Sequence, residues 1–267
     1  MTAPLDVDAT RSGARAEMPI DAALWALPPS SLEEITATAD LQTRVDRKYL
    51  VPVEAFLEMV GALADEVRVL EIAGSREFRY ESVYFDTPDR LSYLASAHSR
   101  RRRFKVRTRT YLDSSSCLLE IKTTGGRGET VKVRWPYEAR HREQLTGDAR
   151  AIVDETLGMP GLSAALEPAL TTTYRRSTLL AHIAAFRLTV DAGLVCSSST
   201  GVRVPLDGRL LVETKSRSTP SRPDRLLWAA GYRPVRISKY CVGLAAIHRD
   251  LPANKWHRTL QQHLQVR

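Results

Sequence analysis

Charged side chains recur at every second position in several short segments of the sequence. Four cations alternate in this way from Arg103 to Arg109, and Glu120 and Lys122 repeat the pattern in the segment that follows. Side chains two positions apart lie on the same face of a β-strand, so each segment predicts a strand with one charged face. Arginine and lysine on such a face can bind phosphate oxygens through charge-assisted hydrogen bonds, each contributing about 1.5 to 3 kcal/mol.

The charges at these alternating positions are mainly positive. The basic positions are Arg44, Lys48, Arg103, Lys105, Arg107, Arg109, Lys122, Lys132, Arg134, Arg187, Lys215, Arg236 and Lys239, and the acidic positions are Asp46, Glu120, Asp191 and Glu213. For any single strand, contact with water would explain a charged face. Two like charges about 6 Å apart repel by roughly 3 kcal/mol at an effective dielectric constant of about 20. The repetition of cations across strands therefore favours an anion-binding surface.

The apolar residues between the charged positions predict how the strands pack. Residues such as Phe104, Val106 and Leu119 alternate with the charges, so they must be buried on the opposite face, beneath helices. We predict an α+β fold in which a closed antiparallel β-barrel has a charged lumen and is surrounded by helices. Such a lumen would be a tunnel for a polyanion. Residues 1–29 are predicted to be a flexible N-terminal tail, and residues 30–267 a single tunnel domain.

Composition restricts the class of protein. The formal net charge of +8 indicates an anionic partner. The basic strands lack the interleaved exposed aromatic residues of a nucleic-acid stacking platform, so we expect no nucleic-acid partner. Three cysteines without CxxC spacing argue against a zinc site or a disulfide framework. The sequence has no apolar stretch of about 20 residues and no secretory signal, so we predict a cytoplasmic protein without a transmembrane segment.

Eight segments occur in an order that is specific as a set, although each motif alone is weak. They are RVDRKYLVP from Arg44, YFDTP from Tyr84, RFKVRTRTY from Arg103, LEIKT from Leu119, VKVR from Val131, RLTVD from Arg187, VETKS from Val212 and SKYC from Ser238. In these segments the sequence resembles the polyphosphate-polymerase domain of vacuolar transporter chaperones, the VTC domain of the triphosphate tunnel superfamily. The resemblance covers nearly all of the chain after the N-terminal tail.

The resemblance implies an antiparallel tunnel barrel that binds a metal–triphosphate. The residues carried over as catalytic are Lys48, Arg107, Arg109, Lys122, Lys215 and Lys239. Those implied to bind substrate are Arg44, Arg103, Lys105, Lys132, Arg134, Arg187 and Arg236. Glu213 is the best implied ligand of a divalent ion, Mn²⁺ or Mg²⁺; Glu120 and Asp191 are weaker candidates that could instead hold a basic neighbour in place. The implied partners are ATP and inorganic polyphosphate, and a membrane protein is a further candidate.

One departure from the superfamily pattern bears on the reaction. Its hydrolases typically begin with an E-x-E-x-K strand, whereas here the alternation is Arg44, Asp46 and Lys48, with a cation in place of a carboxylate. Hydrolysis needs a base or a metal to activate water, while the end of a polyphosphate chain is already ionised at about pH 7. We therefore predict a polyphosphate polymerase that uses the γ-phosphate of ATP. The alternatives are a metal-dependent tunnel triphosphatase and a non-catalytic sensor of polyphosphate or inositol polyphosphates.

Overall fold

The computed structural model describes residues 19–37, 45–125, 130–181, 186–217 and 219–264. The chain divides into two compact units that are interleaved in sequence. The first unit comprises Met1–Glu77, Arg176–Gly193 and Gly208–Val235, and the second comprises Phe78–Arg175, Leu194–Asp207 and Arg236–Arg267. A single domain over residues 30–267 stays a prediction.

Helices and strands are mixed along the chain. The strands are β1 (Pro29–Ser30), β2 (Val45–Val51), β3 (Val67–Leu70), β4 (Phe78–Asp86), β5 (Arg103–Tyr111), β6 (Ser116–Thr124), β7 (Thr130–Tyr137), β8 (Glu167–Ala181), β9 (Phe186–Ser197), β10 (Arg203–Pro205) and β11 (Leu210–Ser216). The α-helices are α1 (19–25), α2 (Leu32–Ala37), α3 (Val53–Gly61), α4 (Leu91–Ala97), α5 (Gly147–Leu157), α6 (Arg222–Ala229), α7 (Lys239–Ile247) and α8 (His257–His263). Short 3-10 helices cover Ala139–His141, Leu162–Ala165 and Asn254–Trp256. No helix in the described ranges has the length and apolar character needed to cross a bilayer.

The strands of the first unit follow the order β2–β11–β9–β8, and β3 pairs with β8 on the far side. The apolar alternates of these strands, including Tyr49 and Val212, are fully buried. They pack against α3 and α6 through Phe56, Met59 and Leu227. The charged alternates therefore lie on the opposite face of these strands, as the alternation predicted.

The strands of the second unit follow the order β8–β4–β5–β6–β7, and β10 pairs with the end of β9. Apolar alternates of β5 and β6 form a core with α5, which contributes Ala149 and Val153. Helix α5 begins where Thr146 Oγ1 accepts a hydrogen bond from the Ala149 N–H (3.3 Å). It ends at Gly158, whose φ of 61° is in the left-handed region that favours glycine.

The predicted N-terminal tail of residues 1–29 needs correction from residue 19 onward. Residues 19–25 form α1, and Pro29 begins β1. Ile20 and Leu24 are four positions apart, which places them on one face of α1, and Leu27 follows the helix; all three are buried in the core of the first unit. The remainder of the predicted tail, residues 1–18, lies outside the described residues.

The prediction of a mixed α+β fold with a large antiparallel sheet is confirmed, but the predicted closed barrel is not observed. The eleven strands belong to one largely antiparallel sheet. Among the described residues, neither unit closes into a barrel by itself, because β2 pairs only with β11 and β7 only with β6. The Lys48 carbonyl oxygen of β2 instead accepts a hydrogen bond from the Val235 N–H (2.7 Å). Pro136 in β7 has no N–H to donate, which suits an edge strand.

Candidate anion-binding site

The register of the second unit gathers its alternating charges on one face. Residues that are paired directly across antiparallel strands share a face of the sheet. From β4 or β5 towards β7, the successive rows are Tyr84–Arg107–Glu120–Arg134, Lys105–Lys122–Lys132 and Arg103–Thr124–Thr130. Arg109 pairs with Ser82 and Leu118 on the same face. Seven cations, which we call the basic face, thus surround Glu120, which is the one acidic residue in these rows.

Glu120 is the centre of an ion-pair cluster on the basic face. Its side chain is 2% exposed, and its Oε2 lies 2.5 Å from Arg107 Nη2 and 3.7 Å from Arg109 Nε. Its Oε1 lies 2.5 Å from Lys132 Nζ and 3.4 Å from Arg134 Nε. Burial raises the pKa of this carboxyl, but the neighbouring cations outweigh burial and hold the pKa well below its usual range.

The surroundings of Glu120 bear on the two roles that the sequence left open for it, metal ligand and counter-ion. Each of its carboxylate oxygens is within ion-pair distance of two cations. A divalent ion at Glu120 would have to displace these cations from a buried position or tolerate their repulsion. Glu120 therefore fits the alternative that the sequence left open, in which it holds its basic neighbours in place.

Lys132 is a member of the cluster whose pKa lies near neutral pH. Burial, together with the nearby cations Arg107 and Arg109, lowers the pKa of its ammonium group to about 7 against the attraction of Glu120. Its side chain is 29% exposed at the β7 side of the basic face. A bound anion would favour the charged form of Lys132, so anion binding and protonation at this position are linked.

Three tyrosines that we did not predict hold cations of the site. The Tyr84 hydroxyl accepts a hydrogen bond from Arg107 Nη1 (2.8 Å), and the Arg109 guanidinium lies 5.7 Å from the centre of the Tyr80 ring. Lys239 Nζ lies 4.3 Å from the centre of the Tyr174 ring, which stacks on Tyr80. Tyr80 and Tyr84 are four positions apart in β4, which places them on one face of the strand, and this spacing was the signal in the sequence.

Lys239 is placed by the start of α7. Ser238 caps this helix, with its Oγ accepting a hydrogen bond from the Cys241 N–H (3.4 Å). The next residue, Tyr240, donates a short hydrogen bond from its hydroxyl to Asp86, which is fully buried. Burial and Asp86 both raise the pKa of the Tyr240 hydroxyl, so Tyr240 stays a donor.

Asp86 also fixes the start of α4. Its Oδ1 accepts hydrogen bonds from the N–H groups of Thr87 and Ser92 (both 2.9 Å), and its Oδ2 accepts one from Tyr93 (3.0 Å). The aspartate of the YFDTP segment and the tyrosine of the SKYC segment therefore join two helices of the second unit. Through Tyr240, this link positions the neighbouring Lys239.

The first unit carries a smaller cluster that contains Glu213. Across the strands, Glu213 pairs with Lys48 of β2, and Lys215 pairs with Asp46 of β2 and Arg187 of β9. Glu213 Oε1 lies 3.1 Å from Lys215 Nζ and 3.8 Å from Lys48 Nζ. Burial lowers the pKa of Lys215 and Arg187 adds to this, while Glu213 and Asp46 oppose them.

Glu213 fits a magnesium or manganese ligand better than the other acidic candidates. Mg²⁺ is commonly held by one or two carboxylates together with substrate phosphates. Asp46 lies on the same face as Glu213, in the neighbouring cross-strand pair with Lys215. Asp191, by contrast, is 2% exposed and receives two hydrogen bonds from Arg176, at 2.5 and 2.8 Å. Within the described ranges there is no group of three or more His, Cys, Asp or Glu residues suited to a metal.

The two units share the predicted site residues unequally. The first unit holds Lys48, Arg187, Asp191, Glu213 and Lys215, and the second unit holds all the others that are described. Arg44 lies outside the described residues. Arg103, Lys105, Lys122 and Arg236 line one cavity of the second unit.

Comparison with known proteins identifies one family model and several distant structures. The model of the VTC domain matches residues 43–248. A candidate adenylate cyclase from Vibrio parahaemolyticus is 17% identical, with a TM-score of 0.45 over 77% of this chain and 99% of that chain. A candidate adenylate cyclase from Bacillus halodurans is 15% identical, with a TM-score of 0.48 over 73% and 94% of the two chains. The candidate adenylyl cyclase HpAC1 from Hippeastrum, described as having a dominant triphosphatase activity, is 15% identical, with a TM-score of 0.47 over 75% and 95%. No curated protein sequence matches the chain.

Proposed function

Because the chain belongs to the VTC domain family, we propose that it is a polyphosphate polymerase, which transfers the γ-phosphate of ATP to a growing chain of inorganic polyphosphate. The observation that supports this most strongly is the basic face of the second unit. Seven cations on three neighbouring strands surround one buried carboxylate. A polyanion would relieve the repulsion among these cations, and each charge-assisted hydrogen bond to it would contribute about 1.5 to 3 kcal/mol.

In the proposed reaction, a terminal phosphate oxygen of polyphosphate attacks the γ-phosphorus of ATP. A new P–O bond forms as the bond between the γ-phosphorus and the β,γ-bridging oxygen breaks, and ADP leaves with that oxygen. No protein nucleophile is required. Arg107 and Arg109 donate hydrogen bonds to phosphoryl oxygens, and Lys239 neutralises charge from its place at the start of α7.

The carboxylates favour chain extension over hydrolysis. Glu120 is the acidic residue of the basic face, and its lowered pKa makes it a weak general base for activating water. The terminal phosphate of a polyphosphate chain is ionised at about pH 7 and needs no base. In β2, Asp46 likewise has cations as neighbours: Lys48 lies two positions away on the same face, and Lys215 is paired with Asp46 across the strands.

Glu213 would hold a divalent ion, with Asp46 on the same face of the first unit. Such an ion would supply charge neutralisation for phosphate groups. Lys48 and Lys215, which both contact Glu213, would keep its carboxylate oriented.

Incubation of the purified protein with ATP and Mn²⁺ or Mg²⁺ tests the proposal, with polyphosphate followed on a stained gel and orthophosphate followed in solution. We expect polymer and ADP. Free phosphate without polymer would indicate the triphosphatase, and tight polyphosphate binding without turnover would indicate the sensor. Arg107→Met should abolish polymer formation, whereas Arg140→Met, at a side chain that is 74% exposed, should not.

Replacement of Glu213 separates the enzyme from the sensor. Glu213→Gln removes the proposed metal ligand but no cation, so polymer synthesis should fall at least about tenfold while tripolyphosphate still binds in the absence of metal. The readouts are polymer yield over a Mn²⁺ titration and calorimetric binding of tripolyphosphate. Glu58→Gln, at an exposed position of α3, is the control. Equal Mn²⁺ dependence in Glu213→Gln and in the unaltered protein would contradict the metal assignment.

A further inference from the structure

A cavity of about 290 Å³ lies in the second unit at the ends of β5 and β6. Arg103, Lys105 and Lys122 line it from the strands, and Arg236 and Lys255 line it from segments on either side of α7. Five cations therefore meet at one cavity. Its lining residues in the described part of the chain include no acidic side chain.

Lys255 reaches this cavity from outside the region that matches the VTC domain, which ends at residue 248. The chain has seven lysines, and the other six are the lysines already assigned to the site from the sequence. Lys255 lies in the 3-10 helix Asn254–Trp256. Trp256 is 4% exposed and contacts the Tyr93 ring at a centroid distance of 5.7 Å, and the Tyr93 hydroxyl donates a hydrogen bond to the Pro252 carbonyl (3.1 Å). The segment is thus fastened to α4.

The ammonium group of Lys255 is oriented by α4 and by the turn that follows it. Its Nζ donates hydrogen bonds to the Ser96 carbonyl (3.0 Å) and to Ser99 Oγ (3.2 Å). An ammonium group has three N–H bonds, so these two contacts leave one donor for a ligand. Burial lowers the pKa of Lys255, and the charge of Arg103 lowers it further. The cations Arg236 and Lys105 have smaller effects in the same direction. An anion in the cavity would offset all of these effects.

We infer that Lys255 completes a second phosphoryl-binding subsite with Arg103, Lys105, Lys122 and Arg236. The subsite lies one to two rows of paired residues from Glu120, on the same face of the strands. Ser238, the capping residue of α7, also lines it, so the N-terminal end of a nine-residue helix adds its favourable dipole. The phosphoryl group can come from a polyphosphate chain that extends beyond the reacting end or from free orthophosphate. The assignment of a polyphosphate chain as the source rests on the proposed function, whereas the binding of a phosphoryl group by these cations does not.

The test is calorimetric titration of the full chain, without ATP or metal, using tripolyphosphate, a longer polyphosphate and orthophosphate. Lys255→Met keeps most of the apolar stem and removes the charge. We expect at least about tenfold weaker phosphate binding, as for loss of one charge-assisted hydrogen bond. Arg258→Met is the control, since Arg258 is exposed three residues away in α8. Should Lys255→Met unfold, Lys255→Gln retains a donor for the Ser96 carbonyl.

The three titrants distinguish the two sources. A loss confined to polyphosphates supports a subsite for the polymer, and an equal loss for orthophosphate supports a site for the free ion. The inference is overturned when Lys255→Met binds all three anions as tightly as Arg258→Met does. Failure of the proposed function is detected by a different assay, in which the unaltered protein makes no polymer from ATP. In that case the Lys255 variants would still lose phosphate affinity in the calorimetric titration.

Discussion

At the scale of single residues, Glu120 shows how one buried acid can organise a surface of cations. Its two oxygens contact Arg107, Arg109, Lys132 and Arg134 at distances between 2.5 and 3.7 Å. Without this carboxylate, the four cations would repel one another with no internal compensation. Glu120 and a bound polyanion therefore have the same electrostatic effect on the basic face, because each reduces the repulsion among its cations.

Glu120→Gln should make the protein less stable and more dependent on an anion. Removal of one partner from a buried ion pair leaves uncompensated charge and costs about 3 kcal/mol or more. We expect a lower Tm without ligand, and a larger rise in Tm on addition of tripolyphosphate than the unaltered protein shows. Glu138→Gln, at a side chain that is 65% exposed, is the control. An unchanged Tm in Glu120→Gln would contradict the role of Glu120 as internal counter-ion.

Anion affinity should depend on pH through Lys132. Its pKa of about 7 means that the ammonium is charged below this pH and neutral above it. Binding of sulfate, whose charge is constant over this range, should therefore weaken as the pH rises from about 6 to about 8.5. Lys132→Arg stays charged and should flatten the profile. A calorimetric pH series on both proteins measures this, and identical slopes would contradict the assignment.

The same shift has a definite sign for stability. Because the folded-state pKa of Lys132 is below its ordinary value of 10.5, the unfolded chain binds more protons between about pH 7 and that value. The contribution of Lys132 therefore increases the free energy of unfolding, and so stabilises the folded protein, as the pH rises through this window.

At the scale of elements, the link between β4 and α7 decides where a cation of the site lies. Asp86 is the last residue of β4 and accepts hydrogen bonds from the backbone N–H groups of Thr87 and of two residues of α4, Ser92 and Tyr93. Its contact with Tyr240 extends this arrangement to α7. Since Lys239 is the residue before Tyr240, the buried carboxylate acts on the site through the helix rather than by contact with a phosphate.

Tyr240→Phe should lower both stability and anion affinity. Loss of a hydrogen bond to a buried carboxylate costs about 1.5 to 3 kcal/mol of stability. A purely structural role would leave tripolyphosphate affinity unchanged well below the Tm, whereas a positioning role predicts weaker binding there. Thermal unfolding and calorimetry at low temperature separate the two. Tyr111→Phe is the control, and unchanged affinity in Tyr240→Phe would remove the positioning role.

At the scale of the whole molecule, the fold includes more of the N-terminal region than the sequence indicated. Helix α1 contributes Ile20 and Leu24 to the core of the first unit, and the turn that follows contributes Leu27. Arg76 also donates hydrogen bonds to the carbonyl oxygens of Leu24 (2.6 Å) and Leu27 (2.9 Å). These contacts make residues 19–27 a part of the first unit.

Leu24→Ala should therefore destabilise the protein by about 2 to 5 kcal/mol, as expected for a large-to-small change at a site that is 1% exposed. Leu32→Ala, at a side chain that is 54% exposed, should change stability by less than about 0.5 kcal/mol. Urea-induced unfolding of both variants provides the measurement. Equal stability of the two variants would contradict the conclusion that residues 19–27 contribute to the core of the first unit.

The sequence by itself determined which side chains belong to the charged face of the strands and which belong to the core. The period of two is a local property of a strand, so Phe104, Val106 and Leu119 could be assigned to the core before any pairing was known. The seven cations of the basic face followed from the same rule. The resemblance to the VTC domain rested on these same segments and is confirmed by the family match.

Only the tertiary structure decided which cations each acid meets. Glu120, Asp191 and Glu213 all stand at charged alternating positions in the sequence, yet Glu120 pairs with four cations, Asp191 with Arg176, and Glu213 with two lysines. Strand register is set by contacts between residues far apart in the chain, so no local pattern contains it. The same reason applies to Lys255 and α1, whose places depend on non-local packing against α4 and against the core of the first unit.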